Sequence, residues 1–451
     1  MTIARGMTVA GVLIVLGVTS CDDDPLPKGL PIAQAEKARE LKLLTLPPVD
    51  RISREAFTAS QTESGQDSSD GRIEYLQNTY GRVGFFPKTY DLRPVQGQTS
   101  TLYAAFYSSE DKKITLIGNP EEAIVVHELV HALQDQHFDL TSYREEVIST
   151  DEALAKSGLV EGDATIAELR YEVTRQGYRP DYLTTFVTYE EAARLSQSVL
   201  DKNPSIAPFF LAQVAFSYTY GPAFALELTG VRNMLTRAWS WPEVNKAFGE
   251  RRPTTTSAVL GRREDRVVPV GLTRLPSELA GLYSLDTVDR LGAWHTHLLF
   301  SRTSTALPPG VVATTWAGDQ LVIVHRRDTR VGTPNGPSGV IWTSTWSAPS
   351  DATAIADALK TLHGLTLTTD DATDRSWVSS DGEPVWLEKR GPLVTFVKNV
   401  PYDDARIFAD RAFQTPEEQK TLSIQRRVFE NAKRFPCVIA SKDSRAARWW
   451  H

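Results

Sequence analysis

Residues 123–133 (Ala-Ile-Val-Val-His-Glu-Leu-Val-His-Ala-Leu) are apolar on almost every side and predict a buried helix. Asn119 as N-cap, Pro120 at the first helical position and Glu122 three residues after the cap place its start. Ahead of it, residues 102–107 and 113–117 suit two strands and 108–111 a turn, so a hairpin is expected. A second helix is expected from Thr150 or Asp151 to about Thr174, with Gly158 and Gly162 inside it. Glycine weakens a helix, so its presence there predicts the close approach of another backbone. The mostly apolar stretch 206–236 reads as a third, buried helical region. Nearer the N-terminus, 33–44 predicts a short helix stopped by Pro47-Pro48, and the Ser, Asp, Gln and Gly of 61–71 predict a loop.

Beyond residue 275 the pattern shortens. Residues 321–324, 340–346, 384–389 and 393–398 suit strands divided by turn formers. Between them, 351–362 places Ile355, Leu359 and Leu362 on one helical face, as a helix packed on a sheet would. Thr415-Pro416-Glu417-Glu418 is a capping box that opens a helix to about 435. The fold class expected is therefore α+β: a mainly helical domain at 75–275 with a small N-terminal sheet, then a smaller strand-rich α+β domain at 276–451 that ends in a helix. Residues 22–74 form a tether and an N-terminal helical segment, and no internal repeat is present.

Composition narrows the function. With 41% hydrophobic residues the chain can fill its cores. The 56 acidic and 49 basic side chains are spread evenly and leave a net charge of -7, with no basic stripe, which excludes nucleic acid as an expected partner. Cys21 and Cys437 are the only cysteines, so no disulfide framework or cysteine-rich metal site can form. Any metal must be held by histidine and carboxylate. Residues 1–21 read as an export signal, with Arg5 ahead of an apolar run at 7–18 too short to span a bilayer comfortably. That run ends in Val18-Thr19-Ser20-Cys21, which resembles the bacterial lipoprotein box. A lipid on Cys21, a membrane anchor and a place in the bacterial cell envelope, on the periplasmic face of the inner membrane or at the outer membrane, are expected from it. Cys437 reads as a small buried hydrophobe.

The candidate chemistry lies in His127-Glu128-Leu129-Val130-His131. A helix turns about 100° per residue, so the two histidines lie within about 40° of each other and can reach one ion. Glu128 stands beside them, free to act as a general base, and zinc is the cofactor this spacing predicts. A third protein ligand is needed. His137 has the spacing of the metzincins, but those rely on a glycine where Gln134 stands, and on a continuing helix His137 faces away, about 240° round from His131. Glu161, in Leu159-Val160-Glu161-Gly162-Asp163-Ala164, is the preferred ligand, with Glu168 and Glu152 as weaker substitutes. His295 and His297, two apart, read as an ordinary exposed strand.

Residues 127–140 (His-Glu-Leu-Val-His-Ala-Leu-Gln-Asp-Gln-His-Phe-Asp-Leu) together with 160–165 (Val-Glu-Gly-Asp-Ala-Thr) resemble a group of exported prokaryotic gluzincin-like zinc metallopeptidases. Tyr103 and Tyr107, Tyr220-Gly221 with Phe224, and Trp316-Ala317-Gly318-Asp319 fit the same resemblance, which covers roughly residues 75–400. It implies a zincin-type domain in which His127, His131 and Glu161 bind zinc. It also implies an endopeptidase that cleaves protein or peptide substrates at the cell envelope, with Glu128 moving the proton of a water at the metal. Tyr220, or Tyr218, would stabilise the oxyanion, and strand 102–107 could pair with an extended substrate. The chain departs from the thermolysin pattern at Thr165, where an aspartate is expected, which shifts support of a ligand histidine to Asp163 or Asp135. It also lacks the His-Pro expected near Gly261-Arg262-Arg263. The alternatives are an inactive zincin-fold lipoprotein that serves as a binding module, and a C-terminal domain that binds an envelope partner.

Overall fold

The computed structural model describes residues 29–66, 70–100, 102–145, 147–232, 239–261, 265–301, 308–328, 338–368 and 375–414. Cys21, Cys437, the export signal, the expected helix at 415–435, and Arg262 and Arg263 lie outside the described residues. The fold is α+β, with a helical first half and a sheet-built second half.

Helix α1 (Ile32–Arg39) is shorter than expected. Glu40 turns left-handed (φ 58°) and its N–H caps the carbonyl of Glu36, while the Glu36 carboxylate accepts from the Leu43 N–H and from Lys42. A three-stranded sheet follows, in the order β1 (Val49–Ile52), β3 (Lys113–Ile117), β2 (Ala105–Ser108). The β2–β3 hairpin is the expected one, although its first strand starts three residues late; β1, which pairs parallel to β3, was hidden by the polar Asp50 and Arg51. Where a loop was expected at 61–71, helices Arg54–Gln66 and Asp70–Leu76 run into a π-helical turn at Gln77–Gly81. Burial of Phe57 on one side, and of Ile73, Leu76 and Tyr80 on the other, overrides the polar composition between them.

Helix α2 (Glu122–Phe138) carries the histidine motif and begins later than Asn119. Gly118 leaves β3 with φ 65° and donates to the Ile52 carbonyl, so the next residues complete a turn before the helix can start. Helix α3 (Thr150–Arg175) has Ser149 as its N-cap, accepting from the Glu152 N–H. After α4 (Tyr189–Lys202), the third helical region divides into α5 (Pro208–Ser217) and α6 (Tyr220–Leu228), broken at Tyr218-Thr219. The expected close approach is between α3 and α6, where a Cβ on Gly162 would stand 2.2 Å from the Gly221 backbone.

The second half is a seven-stranded antiparallel sheet: β4 (Tyr283–Asp289), β5 (Trp316–Arg326), β6 (Ser338–Trp346), β7 (Thr366–Leu367), β8 (Ser376–Val378), β9 (Pro384–Arg390) and β10 (Leu393–Lys398), in the order β4-β5-β6-β10-β9-β8-β7. Between β4 and β5 in the chain lies α7 (Gly292–Phe300), so His295 and His297 sit on a buried helix and not on an exposed strand. Strand alternation sorts the sheet's two faces. Leu321, Ile323, Trp342, Val394 and Phe396 face one core with α8 (Pro349–His363), while Val322, Val324, Ile341 and Val397 face another with α9 (Tyr402–Ala412). The first core also holds Phe216, Tyr220 and Trp294, and the Trp294 indole donates to the Ala212 carbonyl at 3.1 Å. One core therefore crosses the expected boundary near 275, while a second lies wholly before residue 250 and a third wholly after residue 271.

Trp316-Ala317-Gly318-Asp319 has a structural part in this junction. The Asp319 carboxylate accepts from the Leu291 and Gly292 N–H groups at 2.8 Å each and from the Trp316 indole, which caps the start of α7. Burial raises its pKa to about 6 against those hydrogen bonds.

Candidate metal centre

Helices α2 and α3 pack side by side and bring His127, His131 and Glu161 together, all buried. The His127 and His131 Nε2 atoms are 3.0 Å apart, and Glu161 Oε2 lies 3.4 Å from the first and 3.2 Å from the second. The spacing argument is realised directly: residues i and i+4 on one face, with the carboxylate supplied from the facing helix.

The outer nitrogens decide the tautomers. His127 Nδ1 is 3.0 Å from Glu168 Oε2, a carboxylate that accepts but does not donate when ionised. His131 Nδ1 is 2.8 Å from Gln134 Oε1. The Gln134 amide is oriented in turn, because its Nε2 donates to the Val160 carbonyl at 2.9 Å and to Asp163 Oδ2 at 2.8 Å. Both imidazoles therefore carry their proton on Nδ1 and aim the Nε2 lone pair inward, at each other and at Glu161. Three converging lone pairs in a buried space repel unless a cation sits among them. A metal ion with nitrogen and oxygen ligands fits this donor set, and the ligand atoms lie within 4.8 Å of one another.

The same convergence favours positive charge, whether carried by a proton or by an ion. Burial lowers the His127 pKa, but hydrogen bonds to Glu161 and Glu168 outweigh it and hold the ring well above the usual histidine range. Burial would raise Glu161; the His131 charge and hydrogen bonds from both histidines instead hold its carboxyl well below the carboxylate range. Glu128 is different. Burial pushes its pKa up, the two histidines pull it down less strongly, and its Oε2 has no hydrogen-bond partner among the described residues. A buried carboxylate beside the cluster with a free oxygen has the properties of a general base.

Tyr220 does not join the cluster. Its ring packs on Phe216 (6.1 Å) and Trp294 (5.6 Å) in the core, and its buried hydroxyl has no hydrogen-bond partner among the described residues. Tyr218, two residues earlier at the break between α5 and α6, is the tyrosine at the site. Its ring stacks on that of His127 with centroids 6.1 Å apart, and burial with the negative charges of Glu161 and Glu128 raises its pKa well above the usual value. It stays protonated and able to donate. Because the helical break at Tyr218-Thr219 turns the chain, the apolar pattern of 206–236 does not mark which of the two tyrosines faces the cluster.

His137 is excluded as a ligand by position. It stands in the last turn of α2, and its Nε2 donates to the Lys42 carbonyl at 2.7 Å. Glu168 supports His127 from behind, and Glu152 forms an ion pair with Lys156. Asp163 does bear on a ligand histidine, through Gln134, whereas Asp135 accepts from Tyr107 (2.6 Å) and Lys112 (2.8 Å). Gln134 and Glu168 as supports were legible in principle: Glu168 lies seven residues after Glu161, two turns along the same face.

A family model described as a domain of unknown function (DUF8575) matches residues 282–408. That span holds the whole seven-stranded sheet with α7 and α8, and it does not reach α2 or α3. No curated protein and no solved structure matches the chain.

Proposed function

We propose that the protein is a zinc-dependent peptidase that hydrolyses peptide bonds in protein or peptide substrates. The observation that carries this reading is the inward convergence of His127 Nε2, His131 Nε2 and Glu161 beside an unpartnered, buried Glu128. When bound, zinc polarises a carbonyl and makes water acidic enough to attack near neutral pH.

The chain's own residues account for the rest. Glu128 takes one proton from the attacking water as its oxygen bonds to the carbonyl carbon, and passes that proton to the departing amine as the carbon–nitrogen bond breaks. Glu168 and Gln134 fix the two imidazoles so that neither has to reorient during the reaction. Tyr218 donates a hydrogen bond to the developing oxyanion. Strand β2 is the edge strand of its sheet and packs against α2, so it is the strand to which an extended substrate would add. Anchoring of the chain in a bacterial envelope through a lipid on Cys21 belongs to the same proposal; fatty-acid labelling of the protein that disappears in Cys21→Ser is the expected result.

The test is proteolysis of an unfolded protein by the zinc-loaded chain. Glu128→Gln should lose activity by about 10²-fold or more and keep its zinc. Zinc binding with no turnover by the wild type on any unfolded substrate would replace this reading with that of a binding lipoprotein.

A further inference from the structure

The N-terminal segment lies across the outer side of the metal-binding helices. Gln136 exchanges hydrogen bonds with the backbone at Leu44 and Thr45, His137 donates to the Lys42 carbonyl, and Arg170 holds the Ala38 carbonyl and Glu40. All of these contacts are at or near the surface. Arg39 is the exception. Its side chain is fully buried, its guanidinium lies 4.2 Å from the Trp241 ring centre, and it bonds Asn245 at 2.6 Å. It reaches Asp163, 124 residues away in the chain, with Nε 2.9 Å from Oδ2.

Burying an arginine and an aspartate together is costly, and an apolar pair of similar size would often be at least as stable. Asp163, however, faces inward as well. The same Oδ2 accepts from Gln134, whose other end accepts from His131 Nδ1 at 2.8 Å. Arg39, Asp163, Gln134 and His131 thus form one continuous file of hydrogen bonds from the N-terminal segment to a metal ligand. Each link orients the next: the guanidinium fixes the Asp163 carboxylate, the carboxylate fixes the amide of Gln134 with its oxygen toward the ring, and that oxygen accepts from Nδ1 and turns Nε2 toward Glu161.

We propose that Arg39 is a positioning residue of the metal centre, acting through Asp163 and Gln134 to orient His131, so that the N-terminal segment is a working part of the site. This inference rests on the proposed metal binding. It predicts that metal affinity depends on a side chain that touches neither the metal nor its ligands.

The test is the zinc affinity of the purified full chain, measured by competition with a chelating dye, together with the visible spectrum of its cobalt-substituted form. Arg39→Met should weaken zinc binding by about 10-fold or more and alter the cobalt bands. Arg39→Lys, which keeps the charge, should recover most of that loss. Arg170→Gln, which loosens the same segment without entering the file, should bind zinc as the wild type does. If Arg39→Met fails to fold, Arg39→Met/Asp163→Leu removes the buried charges as a pair and is measured instead, with the same loss expected. Wild-type affinity and spectrum in a folded Arg39→Met or in the double variant would overturn the inference, as would equal weakening in Arg170→Gln. A wild-type chain that takes up neither zinc nor cobalt would overturn the metal reading itself.

Discussion

Gly162→Ala sets two effects of known sign against each other. In an isolated helix the substitution would stabilise, by up to about 1 kcal/mol. In this protein the added Cβ would stand 2.2 Å from the Gly221 carbonyl carbon and oxygen, while ordinary contact begins at 3.4 Å. Helices α3 and α6 would have to part by the difference, about 1.2 Å, since the opposing atoms are backbone and cannot turn aside. Overpacking of this kind costs roughly 1–3 kcal/mol, and a backbone contact belongs at the upper end. The net expectation is a loss of about 2 kcal/mol. Because Glu161 adjoins Gly162 on one helix and Tyr218 leads into the other, the same displacement misaligns the site, and a 1 Å misplacement can cost about 10²-fold in rate. The assay pairs the urea unfolding midpoint with proteolysis of an unfolded substrate. Gly158→Ala is the internal comparison: its Cβ would meet the side chains of Phe216 (2.9 Å) and Val259 (3.2 Å), which can shift, so it should be the milder change. Gly162→Ala as stable as the wild type, or more stable, would refute the argument.

Tyr218→Phe should lower kcat by about 10²-fold or more with zinc content unchanged. Tyr220→Phe, which removes a hydroxyl without a partner, should stay within a few-fold of wild type; the reverse order would show that the wrong tyrosine has been placed at the site. Glu168→Gln should weaken zinc binding about 10- to 100-fold in a chelator competition, and undiminished affinity would deny Glu168 its supporting role. His295 and His363 should each work against the fold below pH 6.5. Burial holds His295 at about 4, and burial with the Lys398 charge holds His363 at about 3, so the unfolded chain binds protons in this window that the folded chain refuses. At pH 5 each costs about 2 kcal/mol, and Asp319, raised to about 6, offsets about 1 of that total. Between pH 7 and pH 5 the stability of His363→Gln in urea should change by about 2 kcal/mol less unfavourably than that of the wild type; the same change in both would contradict the reasoning.

The His127, His131 and Glu161 cluster was legible because it depends on local geometry. His127 and His131 needed only the helical repeat, and Glu161 its motif; the two glycines of α3 do mark a close backbone contact, but with α6 and not with the histidine helix α2. What failed depended on distant parts of the chain. Tyr220 was preferred over Tyr218 because nothing in an apolar stretch marks the break that turns one inward to the core and the other toward His127. His295 and His297 looked like strand residues, since the cap that makes α7 a helix comes from Asp319, more than twenty residues later. The helices at 54–66 and 70–76 were obscured by polar residues, and their burial is decided by Phe106 and by the core around Phe85 and Phe209. Arg39 carried no local signal at all, because its partner is met only when α1 packs on α3.

His127, His131 and Glu161 are proposed to hold one metal ion. Elemental analysis of the purified chain beside its Glu161→Ala and His137→Ala variants tests it most directly. The account predicts one zinc per chain in the wild type, retained in His137→Ala and lost in Glu161→Ala. Zinc retained without Glu161, zinc lost without His137, or none in the wild type would contradict it.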